Sequence, residues 1–140
     1  MKRSLLMNAI AAMCLVAASC GQTSVPNAET SAPAETAASA APANVGDCVA
    51  TAVASIGPRL EGVPDSGSAI TYANGLYQVS YDAVPGVDHS QAGDQVRLCL
   101  ASVPENCPPG DHRGRVYDAT NLRTNETWSA PDSQHMCGGA

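Results

Sequence analysis

The sequence predicts a small all-β protein: an antiparallel barrel or sandwich of five to six strands, stapled by disulfides and carried on a disordered tether. Three observations predict it. Residues 69–81 read as a hairpin, with apolar and polar side chains alternating on both sides of Asn74-Gly75. Gln95 to Val103 sets Val96, Leu98 and Leu100 against Arg97, Cys99 and Ala101, the period of two of a half-buried strand. Residues 47–140 carry only 22 large apolar or aromatic side chains and no Phe, but they hold Cys48, Cys99, Cys107 and Cys137. So modest a core is marginal alone and gains from cross-links.

The first segment reads as a signal. Met1-Lys2-Arg3 is a short basic start, and Leu5 to Ala18 is apolar apart from Asn8. Small residues follow, as in a secretory signal. The run is too short for a bilayer, which needs about 20 apolar residues. Val16-Ala17-Ala18-Ser19-Cys20-Gly21 then resembles the lipobox of bacterial lipoproteins, with Ala17 where that family most often has Leu. The resemblance covers residues 1–20. It implies a signal peptide over 1–19 and a diacylglyceryl thioether on Cys20, with further acylation of the new amino terminus. Two or more chains anchor stably, so it also implies membrane attachment through lipid alone. Gly21, in place of the Asp that retains enteric lipoproteins at the inner membrane, implies the outer membrane. Cys14 would leave with the signal.

Residues 20–46 form the lipidated terminus and a linker. Gln22 to Asn44 is Ala, Ser, Thr and Pro with two acids, Glu29 and Glu35. Such a composition buries too little apolar surface to offset ordering entropy, so a disordered tether is expected. Its coil span is about 25–30 Å.

The β domain is expected over 47–140. Cys48 to Ile56 reads as a strand stopping at Gly57-Pro58, although its alanines leave a short helix open. In the hairpin, a two-residue type I′ turn at Asn74-Gly75 would set Tyr72 opposite Tyr77, Ile70 opposite Val79, Thr71 opposite Gln78 and Ala69 opposite Ser80. Gln95 to Val103 follows, ended by Pro104. Pro104 to Gly110 reads as a rigid loop. Arg115 to Leu122 and Thr127 to Ala130 flank the turn Arg123-Thr124-Asn125-Glu126, with their register open. The tail after Pro131 is irregular, and Cys137 is expected to pin it.

Four cysteines in an exported small domain read as a disulfide framework with three connectivities open. Each bridge is worth about 2–4 kcal/mol. Cys-x-x-Cys spacing is absent, which argues against structural zinc. After the signal the chain has five arginines, no lysine and thirteen acids, a formal charge of −8. Without a basic run it is a poor match for nucleic acid or anionic lipid surfaces.

Catalytic chemistry has thin material. Ser133, His135 and Asp111 together hold the groups of a hydrolytic triad, but a triad is a matter of geometry, and no Gly-x-Ser-x-Gly context exposes the serine. A metal site from His112, His135 and Asp111 needs convergence that spacing does not show. His89 reads as a turn residue. No phosphate-binding loop is present, and no cofactor is expected. One cluster suits binding. Arg113, Arg115, Arg123 and Trp128 lie near two connected strands and offer the Arg–Trp mix of interface hot spots, although Trp128 would serve equally as core. The expected function is therefore a lipid-anchored envelope protein whose β domain binds an envelope protein partner or inhibits an envelope-targeting enzyme. Small lipid-anchored β-barrel inhibitors of lysozyme share this general build, without their motifs appearing here. A small hydrolase using His112 and His135, or a structural lipoprotein without a dedicated ligand, are the alternatives.

Overall fold

In the computed structural model, which describes residues 39–139, the chain from Cys48 to Pro131 forms an antiparallel sheet of six strands. They are β1 (Cys48–Leu60), β2 (Val63–Tyr72), β3 (Tyr77–Val79), β4 (Gln95–Ser102), β5 (Val116–Asn121) and β6 (Thr127–Pro131), in spatial order β3-β2-β1-β4-β5-β6. A single helical turn, α1 (Pro85–Asp88), lies between β3 and β4. The residues read as a signal, Cys20 and most of those read as a linker lie outside the described residues. The described body begins ahead of Asp47, the boundary drawn from sequence. Pro42 is buried, and the Gly46 N–H donates to the Leu100 carbonyl at 2.8 Å.

β1 joins two halves of the sheet. Cys48 to Ala52 pairs with β4, and Val53 to Leu60 pairs with β2, with a register shift between Val53 and Ser55. The change of partner bends the sheet, as a bulge does. The strand does not stop at Gly57-Pro58 but runs through to Leu60, and no helix forms over its alanines. The reason is local. Ser68, opposite Pro58, exchanges both backbone hydrogen bonds with Ser80 on its other side. No N–H is asked of residue 58, and a proline is tolerated there.

The inner face carries the core. Val53, Ile70, Tyr72, Leu76, Val96, Leu98, Leu100, Tyr117, Ala119, Trp128 and Ala130 are all buried. The alternation expected for Gln95 to Val103 holds, with Val96, Leu98 and Leu100 fully inside. β5 and β6 settle at Ala119 opposite Trp128. The loop between them, residues 122–126, closes with the Asn125 N–H on the Asn121 carbonyl and Asn125 in the left-handed region.

The first hairpin exists, but its register differs by one residue from the expected one. Ala69 pairs with Val79, Ile70 with Gln78 and Thr71 with Tyr77. The loop is Ala73-Asn74-Gly75, closed by Gly75 N–H on Tyr72 C=O and Tyr72 N–H on Leu76 C=O, both at 2.9 Å. Only Gly75 takes a positive φ, +81°. This is the three-residue connection with glycine at its third position, and not the two-residue type I′ turn. The extra residue turns Tyr77 outward and Gln78 inward.

Gln78 is 1% exposed, and its amide is fully used. Its Oε1 accepts from the Tyr72 hydroxyl (2.5 Å) and from Trp128 Nε1 (3.0 Å). Its Nε2 donates to the carbonyls of Tyr117 (2.6 Å) and Ala130 (2.9 Å), a directly opposed pair of β5 and β6. One side chain thus ties β3 to the far edge of the sheet and curls it over the core. Burial raises the Tyr72 phenol above its ordinary pKa, so it stays a donor.

The segment carrying α1 closes the inner face. The Val84 N–H donates to Ser68 Oγ, which donates to Asp88 Oδ1. Gly86 lies flat on Trp128: a Cβ there would come within 2.6 Å of the indole.

Candidate functional site

The two disulfides fall at different kinds of place. Cys48–Cys99 joins directly opposed residues of β1 and β4. Cys107–Cys137 joins the irregular loop after β4 to the irregular tail after β6. This choice among three connectivities gathers the polar residues of both segments onto one surface.

That surface is built on two aspartates. Asp132 Oδ1 accepts from the backbone N–H groups of Gly114 (2.7 Å) and Arg115 (3.1 Å), fixing the entry to β5 against the tail. Asp111 accepts from the Arg113 guanidinium at 3.0 and 2.8 Å and from the Gly138 N–H at 3.1 Å. The Arg113 hydrogen bonds hold the Asp111 carboxyl well below the usual carboxylate range. Gly114, with φ +94°, passes directly beneath Met136, where a Cβ would come within 2.7 Å of the sulfur. Backbone bonds and a covalent staple therefore order a surface that has no regular secondary structure.

Two recesses meet there. One, of ≈620 Å³, is lined by Pro109, Gly110, Asp111, His112, Arg113 and Asp132. A smaller one, of ≈260 Å³, is lined by Val103, Pro104, Cys107, Asp111, His112 and Arg115. His112 and Asp111 belong to both. Val103 is 47% exposed and Met136 52% exposed, so apolar side chains stand beside the cations.

The four residues singled out as an interface do not form one patch. Arg113 and Arg115 precede β5 and belong to the stapled surface. Arg123 follows β5, at its other end, where its guanidinium grips Asp94 at 2.6 and 2.8 Å and the His89 carbonyl at 2.8 Å. Trp128 is core, 7% exposed, under Gly86 and bonded to Gln78. Of the four, Arg113 and Arg115 lie together on the stapled surface, with His112, Val103 and Met136 near them.

Around Arg123 lies a structural network that the sequence reading missed. Asn121 is fully buried. Its Nδ2 donates to Ser90 Oγ (2.9 Å) and Asp94 Oδ2 (2.8 Å), and its Oδ1 accepts from the N–H groups of Arg123 and Thr124. The Arg123 hydrogen bonds hold the Asp94 carboxyl far below its ordinary range. His89 Nδ1 lies 2.9 Å from Glu126 Oε1, which lowers the Glu126 pKa.

The triad residues are not assembled. Ser133 Oγ donates to the His135 backbone carbonyl at 2.7 Å and not to an imidazole. Asp111 is occupied by Arg113 and Gly138. Among the described residues, no three His, Cys, Asp or Glu side chains converge as metal ligands. No helix among them is long and apolar enough to cross a membrane. No protein-family model, curated protein or solved structure matches this chain.

Proposed function

We propose that this is a lipid-anchored cell-envelope protein whose β domain is a binding or inhibitor module, with the stapled surface around Arg113 and Arg115 as its contact face. The anchor rests on the lipobox-like sequence ending at Cys20, and Gly21 favours the outer membrane. The observation that carries the binding reading is the company at that surface. Arg113, Arg115 and His112 stand beside exposed Val103 and Met136 on a loop held by Cys107–Cys137. Arg and Met are enriched at interfaces, and a contact loop ordered in advance loses less entropy on binding. A hydrolase using His112 and His135 would need the convergence that Ser133 and Asp111 lack here. A structural lipoprotein without a ligand remains the outcome if no partner is found.

Two experiments test the proposal. Cys20→Ala should move the protein from the membrane to the soluble fraction of the native host and abolish incorporation of labelled palmitate. Continued membrane fractionation of the variant would refute the anchor. For the contact face, a photo-crosslinking side chain is placed at position 136 and, as control, at exposed position 122 beyond the other end of β5. A discrete adduct in intact envelopes from 136, missing from 122 and lost in Arg115→Glu, supports the binding face. Equal crosslinking from both positions, or none from either, removes it.

A further inference from the structure

The Cys48–Cys99 bridge has surroundings that a purely structural staple does not need. The backbone bonds of the β1–β4 ladder fix its register. Val53 N–H donates to the Asp94 carbonyl and Leu100 N–H to the Asp47 carbonyl. Counting in twos along the ladder puts Cys48 and Cys99 at a pair that exchanges no backbone bonds, with Cα atoms 4.0 Å apart. Both side chains stand on the outer face, away from the core; Cys48 is exposed and Cys99 half-buried.

The outer face is also electrically uneven. Arg97 lies two residues from Cys99 and opposite Ala50, whose small side chain leaves room for the guanidinium to lean across. Its Nη2 sits 3.1 Å from Cys48 Sγ. Among the described residues Arg97 makes no ion pair. Cys99 has a different neighbour, Asp118, directly opposite on β5. A cation beside a sulfur favours its thiolate, and a nearby carboxylate opposes it.

We propose that Cys48–Cys99 is a thiol–disulfide exchange site that opens in a fixed direction to an external dithiol. A reductant thiolate attacks Cys99 Sγ. A new S–S bond forms there, the Cys48–Cys99 bond breaks, and its electron pair leaves on Cys48 Sγ, beside Arg97. The reductant's second thiolate then attacks its own sulfur in the mixed disulfide and releases Cys99 as a thiolate. Two electrons pass from the dithiol to the bridge. The dithiol becomes a disulfide, and its two protons end on Cys48 and Cys99 as thiols form. A lower leaving-group pKa speeds the first step. After opening, the β1–β4 ladder still holds the two cysteines face to face, so the bridge can close again without refolding. Cys107–Cys137 has neither a guanidinium in hydrogen-bond contact with a sulfur nor a ladder across it.

The test uses the purified, oxidised protein and dithiothreitol at pH 7, with timed alkylation and peptide mapping. Cys48 and Cys99 should be alkylated at least about tenfold faster than Cys107 and Cys137, while circular dichroism stays native. Glutathione, a monothiol, should be trapped on Cys99. Arg97→Gln should slow opening of this bridge about three- to fivefold and leave Cys107–Cys137 unchanged, with Arg97→Lys falling between, because the leaving sulfur loses its cation. The proposal is overturned if Cys107–Cys137 opens first, if both open together with loss of the native spectrum, if glutathione sits on Cys48, or if Arg97→Gln leaves the rate unchanged.

Discussion

Gln78→Leu removes the amide that closes the sheet while keeping a side chain of similar volume. The Tyr72 hydroxyl and the Trp128 N–H both lose their acceptor in a buried place. Leaving a buried donor without a partner costs about 1–3 kcal/mol each, so the loss is about 2–6 kcal/mol. The Tyr117 and Ala130 carbonyls belong to the β5–β6 pairing and are not counted. A loss of that size is a large part of a small domain's stability of about 5–15 kcal/mol. Urea unfolding followed by the fluorescence of Trp128, the single tryptophan, measures it directly. The cycle with Tyr72→Phe is the sharper test. In the wild type, Tyr72→Phe removes a satisfied hydroxyl and should destabilise. In the Gln78→Leu background it removes an orphaned one and should be neutral or stabilising. A loss under about 1 kcal/mol for Gln78→Leu, or additive effects in the cycle, would refute the closing role of this side chain.

Two further outcomes follow from local geometry. Gly67 has φ +104°, and a Cβ there would lie 2.1 Å from the Ser80 carbonyl oxygen, a backbone atom that cannot step aside. Gly57, one strand away, would place a Cβ in open space. Gly67→Ala should therefore cost more than about 3 kcal/mol or prevent folding, and Gly57→Ala should stay within about 0.5 kcal/mol of wild type. Equal melting temperatures for the two would contradict the close approach of β2 to the chain after β3. Asp94→Asn tests the Arg123 network through pH. The folded carboxyl titrates below its unfolded value, so its contribution is fully present above about pH 4, the unfolded value. It is lost as pH falls through the lower folded value. The stability gap between wild type and variant should be flat from pH 7 to about 4.5 and shrink below that in urea titrations. A gap that widens on acidification would reverse the sign of the argument.

The strands were legible where burial alone decides them. Val96, Leu98 and Leu100 alternate with polar neighbours, and all three are inside. The hairpin was legible as a hairpin but not in register. Asn74-Gly75 suits a two-residue turn, and a glycine also suits the third place of a three-residue one. With the two-residue turn, Gln78 falls on the polar outer face opposite Thr71, so the alternation agrees with that turn. Gln78 is inside because four partners satisfy it. Those partners lie on residues 72, 117, 128 and 130, three of them about 40 to 50 residues away. A short-range pattern carries no information about them. The same holds for Pro58, which reads as a strand terminator until the neighbour that asks nothing of its nitrogen is known.

The site was half legible for a related reason. Arg113 and Arg115 adjoin Asp111 and His112 in sequence and remain together in space. Arg123 and Trp128 were drawn into the same cluster by nearness along one hairpin, yet they answer to distant groups. Asp94, 29 residues back, takes the guanidinium, and the bare backbone of Gly86 seals the indole. Once the inward set of β4 is recognised, Cys99 must face outward with Arg97. What the sequence lacked was the pairing of β1 with β4. That ladder places Cys48 opposite Cys99 and Ala50 opposite Arg97, and it leaves Cys107 and Cys137 for each other. A single register thus settles the connectivity, gathers the loop surface offered as a contact face, and sets a cation beside one sulfur and a carboxylate opposite the other.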